Sequence, residues 1–228
     1  MIKLSYSSIT NLYNGHEWIN KMLSIPVPDY SFLKDGREAH RIIQDHVSKK
    51  AKSEFLKHME IYFPIVEEES DESDFKKYWE GKKKCKFSFP VKTAKNDYEI
   101  SGYLDGLDPE NKRFLEIKTS TNAWSMKQFS DSIQRKIYAL AKSDFKEAYI
   151  ITGSKNPTVW EKEPPKLYSM ALTKKDRDEA MDWILGGIEI LEKGNFKGGL
   201  DEEGYCKSCF WNMERYPELA NCHFMRRV

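Results

Sequence analysis

Asp105, Glu116 and Lys118 lie within one short stretch of chain, and their types suit chemistry on a phosphate. Asp108 to Lys112, with Pro109 near the front, is turn chemistry between two apolar-alternating runs. Folding those runs back on each other as a β-hairpin brings Asp105 and Glu116 close at the strand ends. Glu116 and Lys118, two apart on one strand, point to the same face. Two carboxylates converging beside one ammonium make a hard-oxygen site suited to Mg²⁺ or Mn²⁺, with a base or electrophile next to it. The plainer reading is a surface hairpin with ordinary charges, since charged residues make up 32% of the chain. Leu104, Leu107, Leu115 and Ile117 argue against it, because carboxylates set among apolar residues are unstable unless paired or metal-bound.

Other elements must hold this site. Upstream, Gly36 to His40 opens a helical stretch through about Glu60, with Ala39, Ile43, Val47, Phe55 and Met59 at roughly helical period. His40 borders that apolar face, where an imidazole serves either as a third metal ligand or as a satisfied core-edge histidine. Downstream, Ser130 to Ala141 reads as a helix whose buried stripe is Ile133, Ile137 and Leu140. Gln134 and Tyr138, four apart, share the neighbouring face, where an amide and a phenol together can hold a phosphate or nucleobase. Gln-x3-Tyr by itself is a common accident. Trp124, just after the second run, either stacks a base or anchors its loop on the core.

The ordered set Gly-x3-His, Gly-Tyr-Leu-Asp, Glu-Ile-Lys and Gln-x3-Tyr resembles the PD-(D/E)XK nuclease superfamily, specifically its RecB-like (Cas4-like) exonuclease branch. The Ser-rich opening from Leu4 to Tyr13 also looks like the first helix of that branch. The resemblance implies an α/β fold: a restriction-endonuclease-like core with a mixed central β-sheet flanked by helices. It implies one nuclease domain over 1–228, with a Cys-containing segment at about 200–228. It makes Asp105 and Glu116 the metal-binding carboxylates, with His40 and the Ile117 carbonyl as further ligands and Lys118 as the lysine that orients the attacking water. Gln134 and Tyr138 would position DNA. Asp105 follows Leu104 rather than a proline, as is usual in this branch. The implied activity is metal-dependent DNA hydrolysis, as a single-strand exonuclease in recombination, repair or phage replication, with DNA that is single-stranded or has free ends as the partner. The rivals are a nuclease of the same fold acting on RNA or flaps, a catalytically silent DNA-binding or assembly module, and a zinc-stabilised interaction protein.

The remaining sequence sorts into supporting parts. Ser5 to about Leu23 reads as a helix, Ser24 to Asp35 as a loop, and 64–83 as an exposed acidic and basic connector. Lys84 to Thr93, Ala148 to Thr152 and Lys166 to Leu172 read as strands. Thr173 to Asp176 starts a long helix to about Lys193, with Met181, Ile184, Leu185, Ile188 and Leu191 as its core stripe. At 228 residues one sizeable core is expected, and a mean hydropathy of −0.71 suits a soluble protein. No apolar run approaches membrane length and the N-terminus lacks a signal peptide's apolar core, so no membrane partner and a cytoplasmic location are expected. Net charge +1 argues against a strongly basic, non-specific DNA binder, although Lys49, Lys50 and Lys52, and Lys82 to Lys86, form local basic clusters.

Cys206 and Cys209 form a C-x2-C pair, followed by Cys222 and His223, while Cys85 stands alone. Many Cas4-like proteins bind a [4Fe–4S] cluster through one cysteine near the first helix and three near the C-terminus. Here Asn14 to His16 occupies the N-terminal place, and the gap from Cys209 to Cys222 exceeds the usual spacing. Three options stand: no metal, Zn²⁺ held by Cys206, Cys209, Cys222 and His223 or His16, or an iron–sulfur cluster with an unusual ligand. The spacing favours no cluster, then zinc.

Overall fold

Phe114 and Leu115 leave one strand on opposite faces, and both are fully buried, so that strand needs a covering layer on each side. The computed structural model describes residues 1–6, 9–10, 34–66 and 84–193. Its strands are β1 Ile2–Ser5, β2 Ile65–Val66, β3 Lys86–Lys92, β4 Asp97–Tyr103, β5 Gly106–Asp108, β6 Arg113–Ser120, β7 Glu147–Ser154 and β8 Lys166–Ala171. Its helices are α1 Lys34–Val47, α2 Met126–Asp131, α3 Ile133–Ala141 and α4 Lys174–Lys193, with a short 3₁₀ turn at Glu54–Leu56. The fold is α/β, with mixed sheets flanked by helices. Among the described residues no helix is long and apolar enough to cross a membrane.

The strands form two sheets. A three-stranded sheet runs β1-β4-β3, and a five-stranded sheet runs β2-β5-β6-β7-β8. β1 with β4 and β6 with β7 are parallel; the other pairs are antiparallel. The β6–β7 pair needs a crossover, which α2 and α3 provide. One core cluster lies between the small sheet, one face of β6 and β7, α3 and α4, and contains Phe87, Tyr98, Ile100, Phe114, Ile137 and Ile184. The other covers the opposite face, where Ala39, Ile43 and Val47 of α1 meet Leu115, Ile117, Ile151 and Trp160. Ile43 and Val47 are wholly buried, each contributing roughly 1.5–3 kcal/mol of transfer free energy. A charge at Ile43 would detach α1 from β6.

Several expectations need correction. The single hairpin from Tyr98 to Ser120 is cut in two. β4 ends at Tyr103, and Leu104 is pinned by its N–H donating to the Cys85 carbonyl at 3.0 Å. The chain then enters β5, so only β5 and β6 form the hairpin, in register Gly106↔Leu115 to Asp108↔Arg113. The helical stretch from Gly36 stops at Val47 rather than near Glu60. The polar run after Val47 has no apolar face to bury, and Lys49 takes φ 60°, which ends the helix. Phe55 is consequently 41% exposed and lies in the 3₁₀ turn, while Met59 is buried.

The helix expected from Ser130 is two helices, broken at Ser132 with ψ 115°. Ser125 and Ser132 each cap one of them by accepting a backbone N–H, from Gln128 and Arg135. The segment opening with Leu4 begins as strand β1, because its backbone pairs with β4; the helical residues Tyr6, Ile9 and Thr10 follow. The rest of the expected first helix, and the connector beyond Val66 to residue 83, lie outside the described residues. The long C-terminal helix has its capping box: Thr173 N–H donates to Asp176 Oδ2 at 2.9 Å, and Asp176 N–H returns to Thr173 Oγ1. Leu185 is 40% exposed, so the buried stripe of that helix is Ala180, Ile184 and Ile188.

Candidate active site

β6 alternates, so Phe114, Glu116 and Lys118 all face the α3 side while Leu115 and Ile117 face α1. The register Gly106↔Leu115 sets Asp105 one step further, beside Glu116. Asp105 sits at the bend where the chain passes from one sheet to the other, and its Oδ2 accepts the Ile117 N–H at 2.6 Å. Its Oδ1 lies 3.4 Å from His40 Nε2, carried in on α1. Glu116 is ion-paired with Lys118. Lys118 Nζ also donates to Gln134 Oε1 at 2.8 Å, and Gln134 Nε2 donates in turn to the Tyr138 hydroxyl. His40, Asp105, Glu116, Lys118, Gln134 and Tyr138 thus form one polar constellation drawn from α1, the β4–β5 bend, β6 and α3.

The electrostatics follow from burial and mutual proximity. Burial pushes Glu116 up, Asp105's charge adds to that push, and the opposing pull of Lys118 and His40 leaves it at about 7. Burial would also raise Asp105, but His40, Lys118 and the Ile117 N–H outweigh it and hold the carboxyl below its ordinary value. Lys118 is pulled down by burial and pushed up more strongly by Glu116 and Asp105, so it stays an ammonium. The phenol of Tyr6, just after β1, adds to that upward push.

A buried carboxylate, Glu116, and a half-buried one, Asp105, close enough to disturb each other are a hard-oxygen donor set, which fits a divalent cation of the Mg²⁺ or Mn²⁺ kind. The Lys118 ammonium lies against Glu116, and His40 Nε2 lies against Asp105. Among the described residues no three His, Cys, Asp or Glu side chains converge as a ready metal cage. The Ile117 carbonyl belongs to the strand backbone, and its own N–H is committed to Asp105.

No protein-family model matches this chain, and no curated protein matches it. A solved structure described as "Crystal structure of SSO0001" is similar, with 13% sequence identity and a TM-score of 0.50. That likeness covers 83% of this chain and 77% of the other. At such identity it speaks for the shared fold alone.

The structure adds residues that the sequence did not single out. Gly102 belongs to the Gly-Tyr-Leu-Asp run, and a Cβ there would meet the Phe87 ring at 2.7 Å. Phe87 packs edge-on against Tyr138 with centroids 5.4 Å apart, so the absent side chain at 102 helps to set the position of Tyr138. Thr152, opposite Lys118 on β7, accepts the Trp124 N–H at 2.7 Å. That bond holds the Trp124 ring 5.6 Å from Lys118 Nζ, half-buried against the core. Arg135, next to Gln134, is fully buried and ties α3 to α4 through Asp176 at 2.6 Å. A lone arginine in an otherwise amphipathic helix was the available signal for it. Cys206, Cys209, Cys222, His223 and His16 lie outside the described residues, while Cys85 is buried in the core. Lys49, Lys50 and Lys84 to Lys86 form no part of the constellation, and Lys49 lies over the Tyr62 ring at 4.4 Å.

Proposed function

We propose that this chain is a Mg²⁺- or Mn²⁺-dependent deoxyribonuclease of the PD-(D/E)XK type, RecB-like branch, acting as an exonuclease on single-stranded ends. One observation carries the reading. Lys118 is bonded at once to Glu116 and to Gln134, so the Glu-Ile-Lys and Gln-x3-Tyr motifs meet at one ammonium, with Asp105 and His40 beside them. Phosphodiester hydrolysis builds negative charge on the phosphoryl oxygens and the leaving oxygen. A divalent cation, when bound, would neutralise that charge and lower the pKa of nearby water, and Asp105 and Glu116 are the residues to hold it. Lys118 is a compact cation already oriented by Gln134, able to meet a phosphate without strict geometric demands. The Gln134–Tyr138 pair fixes that orientation from α3.

Labelled single-stranded DNA should be degraded with Mn²⁺ and spared with EDTA. Asp105→Asn and Lys118→Ala should each lower kcat roughly 10²–10⁴-fold while leaving the circular dichroism spectrum unchanged. Undiminished turnover in either variant defeats the site assignment. A closed circular strand beside a linear one separates endonuclease from exonuclease. The internal pairing of both carboxylates with Lys118 and His40 favours one second reading, a catalytically silent DNA-binding module of the same fold. That reading expects DNA binding with no metal-dependent turnover.

A further inference from the structure

The connector after β6 serves two places at once. Trp124 reaches back to Lys118, while Thr121 and Asn122 line a separate cleft of about 850 Å³. The cleft opens at the carboxyl ends of the parallel pair β6 and β7, where open α/β sheets habitually bind ligands. Thr121 is three residues beyond Lys118, on the order of 10 Å along an extended chain. The cleft wall carries Lys162, Lys166 and Tyr168, with Ser154 at the end of β7. Both lysines are exposed, and Glu163 is the one carboxylate among the lining residues, so the balance is cationic.

The wall is also built rather than loose. His58 Nε2–H donates to the Pro165 carbonyl at 3.1 Å, and a Cβ on Gly153 would meet the Pro165 ring at 3.0 Å. Cationic side chains, hydroxyl and amide donors, apolar proline and an aromatic ring together suit a phosphate-linked strand with unpaired bases.

We propose that this cleft holds the single-stranded tail of the substrate, with Lys162 and Lys166 on its phosphates and Tyr168 against a base. This rests on the nuclease reading, and the experiment separates the two. Fluorescein-labelled oligo-dT is titrated into the full chain in EDTA and followed by anisotropy over a salt series. Turnover of the same oligonucleotide and of bis(p-nitrophenyl) phosphate is measured with Mn²⁺. Lys162→Glu/Lys166→Glu should weaken oligo-dT binding at least ~10-fold and flatten the log–log salt slope by about 1.4, since each single-strand phosphate contact contributes about 0.7. It should raise KM for the oligonucleotide and leave bis(p-nitrophenyl) phosphate turnover unchanged. Lys174→Glu/Lys175→Glu, at the opposite end of β8, should behave as wild type.

Wild-type binding and salt slope in Lys162→Glu/Lys166→Glu overturn the cleft assignment, and leave the nuclease reading standing if the wild type cleaves. A wild-type chain that binds oligo-dT through these lysines and cleaves nothing sinks the nuclease reading and supports the cleft. No oligo-dT binding by the wild type overturns the cleft outright.

Discussion

Glu116 shows why a buried carboxylate costs stability. It stands where the alternation of β6 would put an apolar side chain, and burial leaves its carboxyl titrating at about 7. A group whose folded pKa lies above its unfolded value stabilises the fold below that unfolded value. Its contribution is lost as pH rises from about 4.5 through about 7. Urea melts in EDTA at pH 5 and pH 8 should therefore show the wild type losing stability relative to Glu116→Gln as pH rises. A constant difference between them would mean that Glu116 is solvated rather than buried against Asp105. At the same scale, Tyr138→Phe keeps the ring between Phe87 and Phe114 and removes the hydroxyl that orients Gln134. The expected cost is about 1 kcal/mol of stability and, on the proposed nuclease reading, a fall in kcat rather than a rise in KM, checked by denaturation and steady-state kinetics.

At the scale of elements, the site depends on how β4 and α3 are held. Gly102→Ala drives a methyl into the buried Phe87 ring, which packs against Tyr138. About 1–3 kcal/mol of destabilisation is expected, with a loss of the proposed nuclease activity exceeding what the change in Tm explains, because Tyr138 shifts with Phe87. α3 is fastened at its other side by Arg135. Burial would raise Asp176, but hydrogen bonds from Arg135 and Thr173 bring it down to about 2. A folded carboxyl depressed below 3.8 contributes fully above that value and loses its contribution as pH falls through about 2. Asp176→Ala leaves a buried guanidinium without its carboxylate and should cost about 3 kcal/mol near neutral pH. Asp176→Asn should flatten the acid limb of the unfolding curve followed by circular dichroism.

For the whole molecule, β6 is the organising element. It is registered with β7 from Arg113↔Glu147 to Ser120↔Ser154 and covered on both faces, whereas β2 is two residues long and β8 lies at a sheet edge. Native-state hydrogen exchange should find the amides of Leu115, Ile117, Ile150 and Ile151 slowest, opening only with global unfolding. Amides of β8 facing away from β7 should exchange faster. Uniform protection across the five-stranded sheet would contradict this order. With a net charge of +1 the overall field attracts no polyanion, so any affinity for nucleic acid must come from local clusters.

Local pattern was enough to read the β5–β6 turn, the shared face of Glu116 and Lys118, the Gln134–Tyr138 spacing and the Thr173–Asp176 cap, because each is decided by residues a few positions apart. Period and turn chemistry are short-range, and nothing distant needed to be known. Only the tertiary structure decided that β4 leaves Asp105 for a second sheet, that β1 is a strand, and that α1 stops at Val47. The same is true of His40 meeting Asp105 and of Arg135 being buried against Asp176. Those outcomes depend on which apolar faces meet and which backbone edges need partners. A side chain's distant partner is not written in its neighbours along the chain.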